Sequence, residues 1–133
     1  MPDDEEIESR KKQLNKISNQ IQAKSNLGHA VVLTGDLNLE EAELNTFLDN
    51  RSDIDLRRDP AVVGQETWGG DKWCADLMGK GFSNPLILDY TLIAGKASDI
   101  FTKIVKMEDY SSSEFKPKAL SDHNLLFSTI TVT

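Results

Sequence analysis

"VVLTGDLNLEEAELNTFL", residues 31–48, is the stretch on which the reading of this chain turns. The apolar run Val31-Val32-Leu33 stops at Gly35-Asp36, passes through Leu37-Asn38 and becomes a helical pattern. A strand that ends in a carboxylate and an amide, then feeds a helix, is an α/β (α+β) arrangement. Residues 30–34 read as a short strand buried on both faces, because their apolar residues do not alternate with polar ones. A helix is expected over residues 39–48, with Asn38 as N-cap and Glu40 and Glu41 in the first turn, where the macrodipole favours anions.

The segments on either side fit the same class. Upstream, residues 3–25 predict one helix. Asp3, Asp4, Glu5 and Glu6 crowd its first turn. Ile7, Leu14, Ile17 and Ile21 form a narrow apolar stripe, and the run ends at Gly28. Downstream, residues 49–84 form a long irregular region too large for a plain connector, so a substrate-facing role is expected there. Trp68, Trp73, Leu77, Met78 and Phe82 are its candidate contacts with substrate or a membrane surface, or else a satellite core beneath the loop. Residues 86–94, "LILDYTLIA", predict a strand interrupted by Asp89. Residues 99–106 predict a strand with one wet face, and residues 124–132 an apolar closing strand.

The chain has 133 residues, one domain by size, with 15 Lys+Arg against 22 Asp+Glu and a formal charge of −7. That charge argues against a broad basic surface for nucleic acid, yet acidic residues can hold a cation that in turn holds a phosphate. Cys74 is the single cysteine, so no disulfide forms within the chain. No stretch approaches the roughly 18 apolar residues of a membrane span. The opening "MPDDEEIESR" is the reverse of a signal peptide, which makes the cytoplasm the default location.

Polar residues recur at the ends of the expected strands. Asp36 and Asn38 follow one, Asp89 lies within another, and Asp122 and His123 precede the last. Ligands gather at such positions in α/β folds, and a buried carboxylate is costly unless paired or metal-bound. Carboxylates and a histidine in this pattern point to a cation and a phosphoryl group. Taken singly, Gly-Asp-x-Asn is also a common turn and helix cap, Ser-Asp-His a loop tripeptide, and Asp89 a hydrogen-bonded sheet residue. His29, at a strand start without a nearby carboxylate, reads as structural.

Together and in this order, "VVLTGDLN", "LILDYTLIA" and "ALSDHNLLFSTI" resemble the C-terminal half of the endonuclease/exonuclease/phosphatase superfamily, metal-dependent phosphodiesterases. Within it, "ETWGGDKWC" is most similar to neutral sphingomyelinases, although Trp73 stands where they commonly carry an Asn. The resemblance implies the C-terminal half of a four-layer α/β/β/α sandwich, with residues 1–133 as one partial domain. It implies Mg²⁺ or another divalent cation and a phosphodiester substrate. A phospholipid such as sphingomyelin is favoured, and nucleic acid less so. By the same resemblance, Asp36 orients or deprotonates the attacking water, and Asn38 binds a phosphate oxygen. Asp122 joins Asp36 at the metal, His123 serves the phosphoryl centre, and Asp89 locks its ring. Trp68 and Trp73 would line the substrate. The segments that carry the superfamily's metal-binding Glu have no match here. The expectation is therefore a chain that is inactive alone, or one that associates with itself or with a complementing half. A nuclease of the same superfamily and an inactive interaction module are the other readings.

Overall fold

The structure, a computed structural model, describes residues 4–68, 87–105 and 123–133. Helix α1 (Asp4–Asn26) carries Asp4, Glu5 and Glu6 in its first turn. It ends where expected. The His29 amide donates to Lys24 O at 3.1 Å and the Gly28 amide to Ser25 O at 3.0 Å, with Gly28 at φ +84°. This bond pair needs a left-handed residue, which glycine supplies at no steric cost. Leu14, Ser18 and Ile21 form the buried stripe. Ile17, expected on it, is 40% exposed. At about 100° per residue, a stripe through positions 14, 18 and 21 leaves position 17 at its margin, and the small Ser18 lets the helix approach the sheet.

Strand β1 (Ala30–Asp36) pairs antiparallel with β2 (Asp89–Gly95), in a register that sets Leu33 opposite Leu92, Thr34 opposite Thr91 and Asp36 opposite Asp89. The expectation that β1 is buried on both faces is corrected. Val31 and Leu33 are half-buried, whereas Val32 is 46% exposed. Three adjacent apolar residues do not say which strand is central, and among the described residues β1 is an edge strand. The centre is β2, whose residues Tyr90 to Ala94 are all buried.

One face of this sheet meets the helices. Tyr90, Leu92 and Ala94, with Val31 and Leu33, pack on Ile21 of α1 and on Leu44 of α2 (Glu41–Asn50). Leu14, Leu39 and Phe47 extend that contact. Each large apolar side chain so buried contributes about 1.5–3 kcal/mol. The opposite face carries Thr34 and Asp36 of β1 beside Thr91 and Asp89 of β2, and the two threonine hydroxyls lie 3.0 Å apart.

Helix α2 begins about two residues later than expected. Its N-cap position is Glu40, with no side-chain cap, and Asn38 sits before it at φ +54°. Leu39 fills the core instead of opening the helix, being 2% exposed. Strand β2 begins at Asp89, so this carboxylate starts the strand rather than interrupting it, and Leu86 lies outside the described residues.

The first part of the long irregular region is built into the fold. Ile54, Leu56 and Val62 are buried, and Pro60–Val62 forms a single 3-10 turn. Arg51 donates to Asn15 and Asn19 of α1 and pairs with Asp53, whose carboxyl it holds below the usual carboxylate range. Arg57 bridges to Ile93 along the second edge of β2. The buried Asp59 accepts from the amides of Ala61 and Thr102, at 2.9 and 2.7 Å, so its burial is offset by two donors.

A tight turn at Gly95-Lys96 leads into β3 (Ala97–Val105), which pairs antiparallel with β4 (Leu125–Val132). Thr102 of β3 is buried while Phe101 is 64% exposed, the alternation expected of a strand with one wet face. Lys106 and Met107 lie outside the described residues. The described chain is thus mixed α+β, with two small antiparallel sheets and two α-helices. Among the described residues, no helix is long and apolar enough to cross a membrane.

Candidate active site

The β1–β2 register puts Asp36 and Asp89 directly across from each other on the face away from the helices. Like charges placed opposite in a sheet repel, so this pairing asks for a cation or a proton donor. His123, two residues before β4, supplies one. Its Nδ1 lies 2.7 Å from Asp89 Oδ2, and its Nε2 lies 3.8 Å from Asp36 Oδ2. The first is a short hydrogen bond with the ring nitrogen donating, and the second is a looser approach. With Nδ1–H committed to Asp89, the neutral ring turns its lone pair at Nε2 towards Asp36. The protonated ring turns an N–H there instead. The three residues offer ligand atoms within 4.8 Å of one another.

Residues from separate parts of the chain hold this arrangement. Thr67 is 1% exposed, and its Oγ1 accepts from the amides of Leu88 and Asp89 at 3.0 and 3.2 Å. Its carbonyl accepts from the amide of Asn124 at 2.7 Å, and the Asn124 side chain donates to Glu66 O. Thr67 therefore ties the start of β2 to the approach of β4, the two segments that carry Asp89 and His123. Trp68, half-buried, extends the tie as a bridge to His123. The sequence signal for Thr67 is weak, since one hydroxyl in a loop shows no periodicity. Thr67→Val removes the acceptor but keeps the shape. It is expected to destabilise the chain by about 1–3 kcal/mol, the cost of leaving buried amides unpaired. Urea unfolding monitored by circular dichroism measures this. A change under about 0.3 kcal/mol would show that Thr67 is no clamp.

Asp36 and Asn38 form a local turn in which the Asn38 amide donates to Asp36 Oδ1 at 2.8 Å. Asn38 does not cap α2, because its backbone is left-handed rather than the extended one of an N-cap and the helix starts at Glu41 with Glu40 in the cap position. The Asn38 side chain is exposed and makes no hydrogen bond among the described residues. A cleft of about 210 Å³ opens beside the cluster, lined by Thr34, Gly35, Asp89, Asn124 and Leu126. Tyr90 lies beneath it, its hydroxyl 2.7 Å from Leu39 O and 2.9 Å from Ile87 O. Burial pushes the phenol's pKa above its ordinary value, so it serves as a donor.

Of the residues expected at the site, the fold brings together Asp36, Asp89 and His123, with Asn38 two residues along and Trp68 bridged to His123. Asp122, Trp73, Leu77, Met78 and Phe82 lie outside the described residues. His29 stands apart, exposed, and contributes its backbone to the α1 stop and to the turn at Lys96.

Asp36, Asp89 and His123 could together hold a metal ion. Asp89 Oδ2 is committed to the imidazole and Asp36 Oδ1 to the Asn38 amide. That leaves Asp36 Oδ2, 3.8 Å from His123 Nε2, and Asp89 Oδ1 as the carboxylate oxygens that a metal ion could meet. In comparisons with protein-family models, with curated proteins and with solved structures, nothing matches this chain.

Proposed function

We propose that this chain carries the phosphoryl-facing part of a divalent-metal-dependent phosphodiesterase of the endonuclease/exonuclease/phosphatase type, sphingomyelinase-like in substrate class. On this reading its helices and sheets correspond to the C-terminal half of the four-layer sandwich. One observation supports it above the rest: Asp36, Asp89 and His123, far apart in sequence, lie within 4.8 Å of one another with the ring held by Asp89. Two of the three sit on opposed strand positions, where repulsion would disfavour them without a use for charge.

The chain's own groups divide the work as follows. Asp36 orients or deprotonates the attacking water through Oδ2. His123 faces the phosphoryl group with Nε2; in its protonated form the Nε2 N–H stabilises charge there or gives its proton to the leaving oxygen, and the proton taken from the water replaces it. Asp89 fixes the ring's tautomer and aim. Asn38, exposed beside Asp36, donates its side-chain amide to a phosphate oxygen. A bound Mg²⁺ would neutralise phosphoryl charge and supply the water. Asp36 would hold it together with at least one further carboxylate, from Asp122 or from the Glu that a complementing half would bring.

The formal charge of −7 favours a phospholipid or small phosphodiester over a nucleic acid. The test is hydrolysis of bis(p-nitrophenyl) phosphate, sphingomyelin in mixed micelles and an abasic oligonucleotide, each with Mg²⁺ and with chelator. NMR titration of the chain with Mg²⁺ and dimethyl phosphate runs in parallel. The expected result is phosphate-induced shifts at His123 and Asn38 in the chain itself, and Mg²⁺-dependent turnover, highest on sphingomyelin, when a complementing half that brings the missing Glu is supplied. No turnover on any substrate, with no shift at either residue, rejects the reading. Turnover confined to the oligonucleotide makes the protein a nuclease.

A further inference from the structure

Arg10 reaches from α1 to the turn after β1. Its guanidinium donates to Asn38 O at 2.9 Å, and the Arg10 side chain is only 18% exposed. A second guanidinium nitrogen lies 3.8 Å from Glu6, one turn back on the helix, which steadies the group from behind. Asn38 is the single described residue other than glycine with positive φ, at +54°. Both of its backbone polar groups are taken, the amide by Asp36 Oδ1 and the carbonyl by Arg10. The next carbonyl, Leu39 O, lies within hydrogen-bonding distance of the Tyr90 hydroxyl. Two consecutive peptide carbonyls are thus tethered to separate elements, α1 and β2, while the Asn38 side chain between them makes no hydrogen bond among the described residues.

A residue in the left-handed region persists where its surroundings over-determine it. Asp36 cannot do this alone, because a carboxylate bond to the residue two positions on forms in several turn conformations. The carbonyl tether selects one of them. We propose that Arg10 is a positioning residue of the phosphoryl site: it fixes the left-handed backbone of Asn38 and so sets the aim of the Asn38 side-chain amide. The inference rests on the reading of Asn38 as a phosphate ligand, which is that of the proposed function. Arg10 touches no reacting atom. Its charge is spent on a carbonyl, so it contributes geometry rather than attraction for the substrate.

The experiment uses the full chain labelled with ¹⁵N and ¹³C, in wild-type form and as Arg10→Gln, Arg10→Lys and Lys11→Gln. Two readouts are taken at Asn38: its backbone shifts and amide exchange rate, and the response of its side-chain amide to dimethyl phosphate with Mg²⁺. Arg10→Gln is expected to move the Asn38 backbone shifts out of the left-handed range. It is expected to speed amide exchange about ten-fold and to weaken the side-chain response to dimethyl phosphate several-fold. Arg10→Lys, which keeps a donor of similar reach, restores most of both. Lys11→Gln, which alters the neighbouring exposed Lys11–Glu8 pair, changes neither. Unchanged Asn38 shifts and exchange in Arg10→Gln overturn the proposal whatever the phosphate result. Altered shifts in Arg10→Gln with no phosphate response in the wild-type chain overturn the reading of the site, and the functional part of this inference with it. Equal effects of Arg10→Gln and Lys11→Gln reduce Arg10 to a contributor to helix stability and overturn the proposal.

Discussion

His123→Ala is expected to lower Mg²⁺-supported phosphodiester hydrolysis by about 10²–10⁴-fold, the range in which a positioned proton-transfer group acts. On the proposed function the loss should fall on kcat more than on KM, because the ring would meet charge that develops during the reaction rather than serve ground-state binding. Asp89→Asn provides the sharper comparison. The amide is nearly isosteric but carries no charge, so it no longer stabilises the ring form that donates from both nitrogens, and with it the Nε2 N–H that the proposed role needs. A loss approaching that of His123→Ala is therefore expected from a variant that keeps the ring. The two losses should not add, since both residues act through one imidazole. His123→Ala also leaves both cross-strand carboxylates with one partner fewer, so a stability decrease of about 1–2 kcal/mol should accompany its kinetic effect, whereas Asp89→Asn relieves the like-charge contact with Asp36 and should cost less. Steady-state kinetics and urea melts on the same preparations separate the two. Turnover of His123→Ala within about three-fold of wild type would remove histidine from the mechanism.

The approximate positions of these residues are legible in the sequence because each lies next to an apolar run whose period fixes a strand end. Their meeting is not. It depends on a register, Asp36 opposite Asp89, and on a clamp, Thr67, that joins two segments by bonds to main-chain amides. Main-chain donors leave no trace in side-chain identity. The same limit explains the fold. The glycine stop of α1 could be read because it is local, whereas the choice of β2 over β1 as the central strand depends on what packs beyond each strand. Asn38 is instructive in both respects. Its type suits a helix cap and a left-handed turn equally, and Asp36 and Arg10 decide for the turn from two and 28 residues away. Arg51 and Arg57 follow the same rule. Each looks like a surface charge in sequence, and each ties the irregular region to a helix or a strand through bonds of long range.

Gly95→Ala is expected to be the most damaging single methyl addition in the described fold. Gly95 ends β2 at φ +64°. A Cβ built there collides with the carbonyl oxygen of His29 and comes within 3.2 Å of Ser25 Oγ. The backbone neighbour cannot yield cheaply. The His29 carbonyl accepts from the Lys96 amide at 3.0 Å, and the His29 amide closes the α1 stop on Lys24 O. The added methyl therefore pushes against backbone fixed at both ends, where α1, β1 and the β2–β3 turn converge. The left-handed backbone alone costs an L-residue about 1–2 kcal/mol, and the overlap adds to it, so a loss of at least about 3 kcal/mol is expected. The damage should also reach the site. Opening this turn loosens the Ala30–Gly95 end of the same strand pair that sets Asp36 against Asp89 at its other end. Urea unfolding gives the first number, and the His123 ring resonances, read under native conditions, give the second. A Gly95→Ala chain that unfolds within about 1 kcal/mol of wild type would mean that the turn shifts freely, and that the β1–β2 register is held by the helices instead.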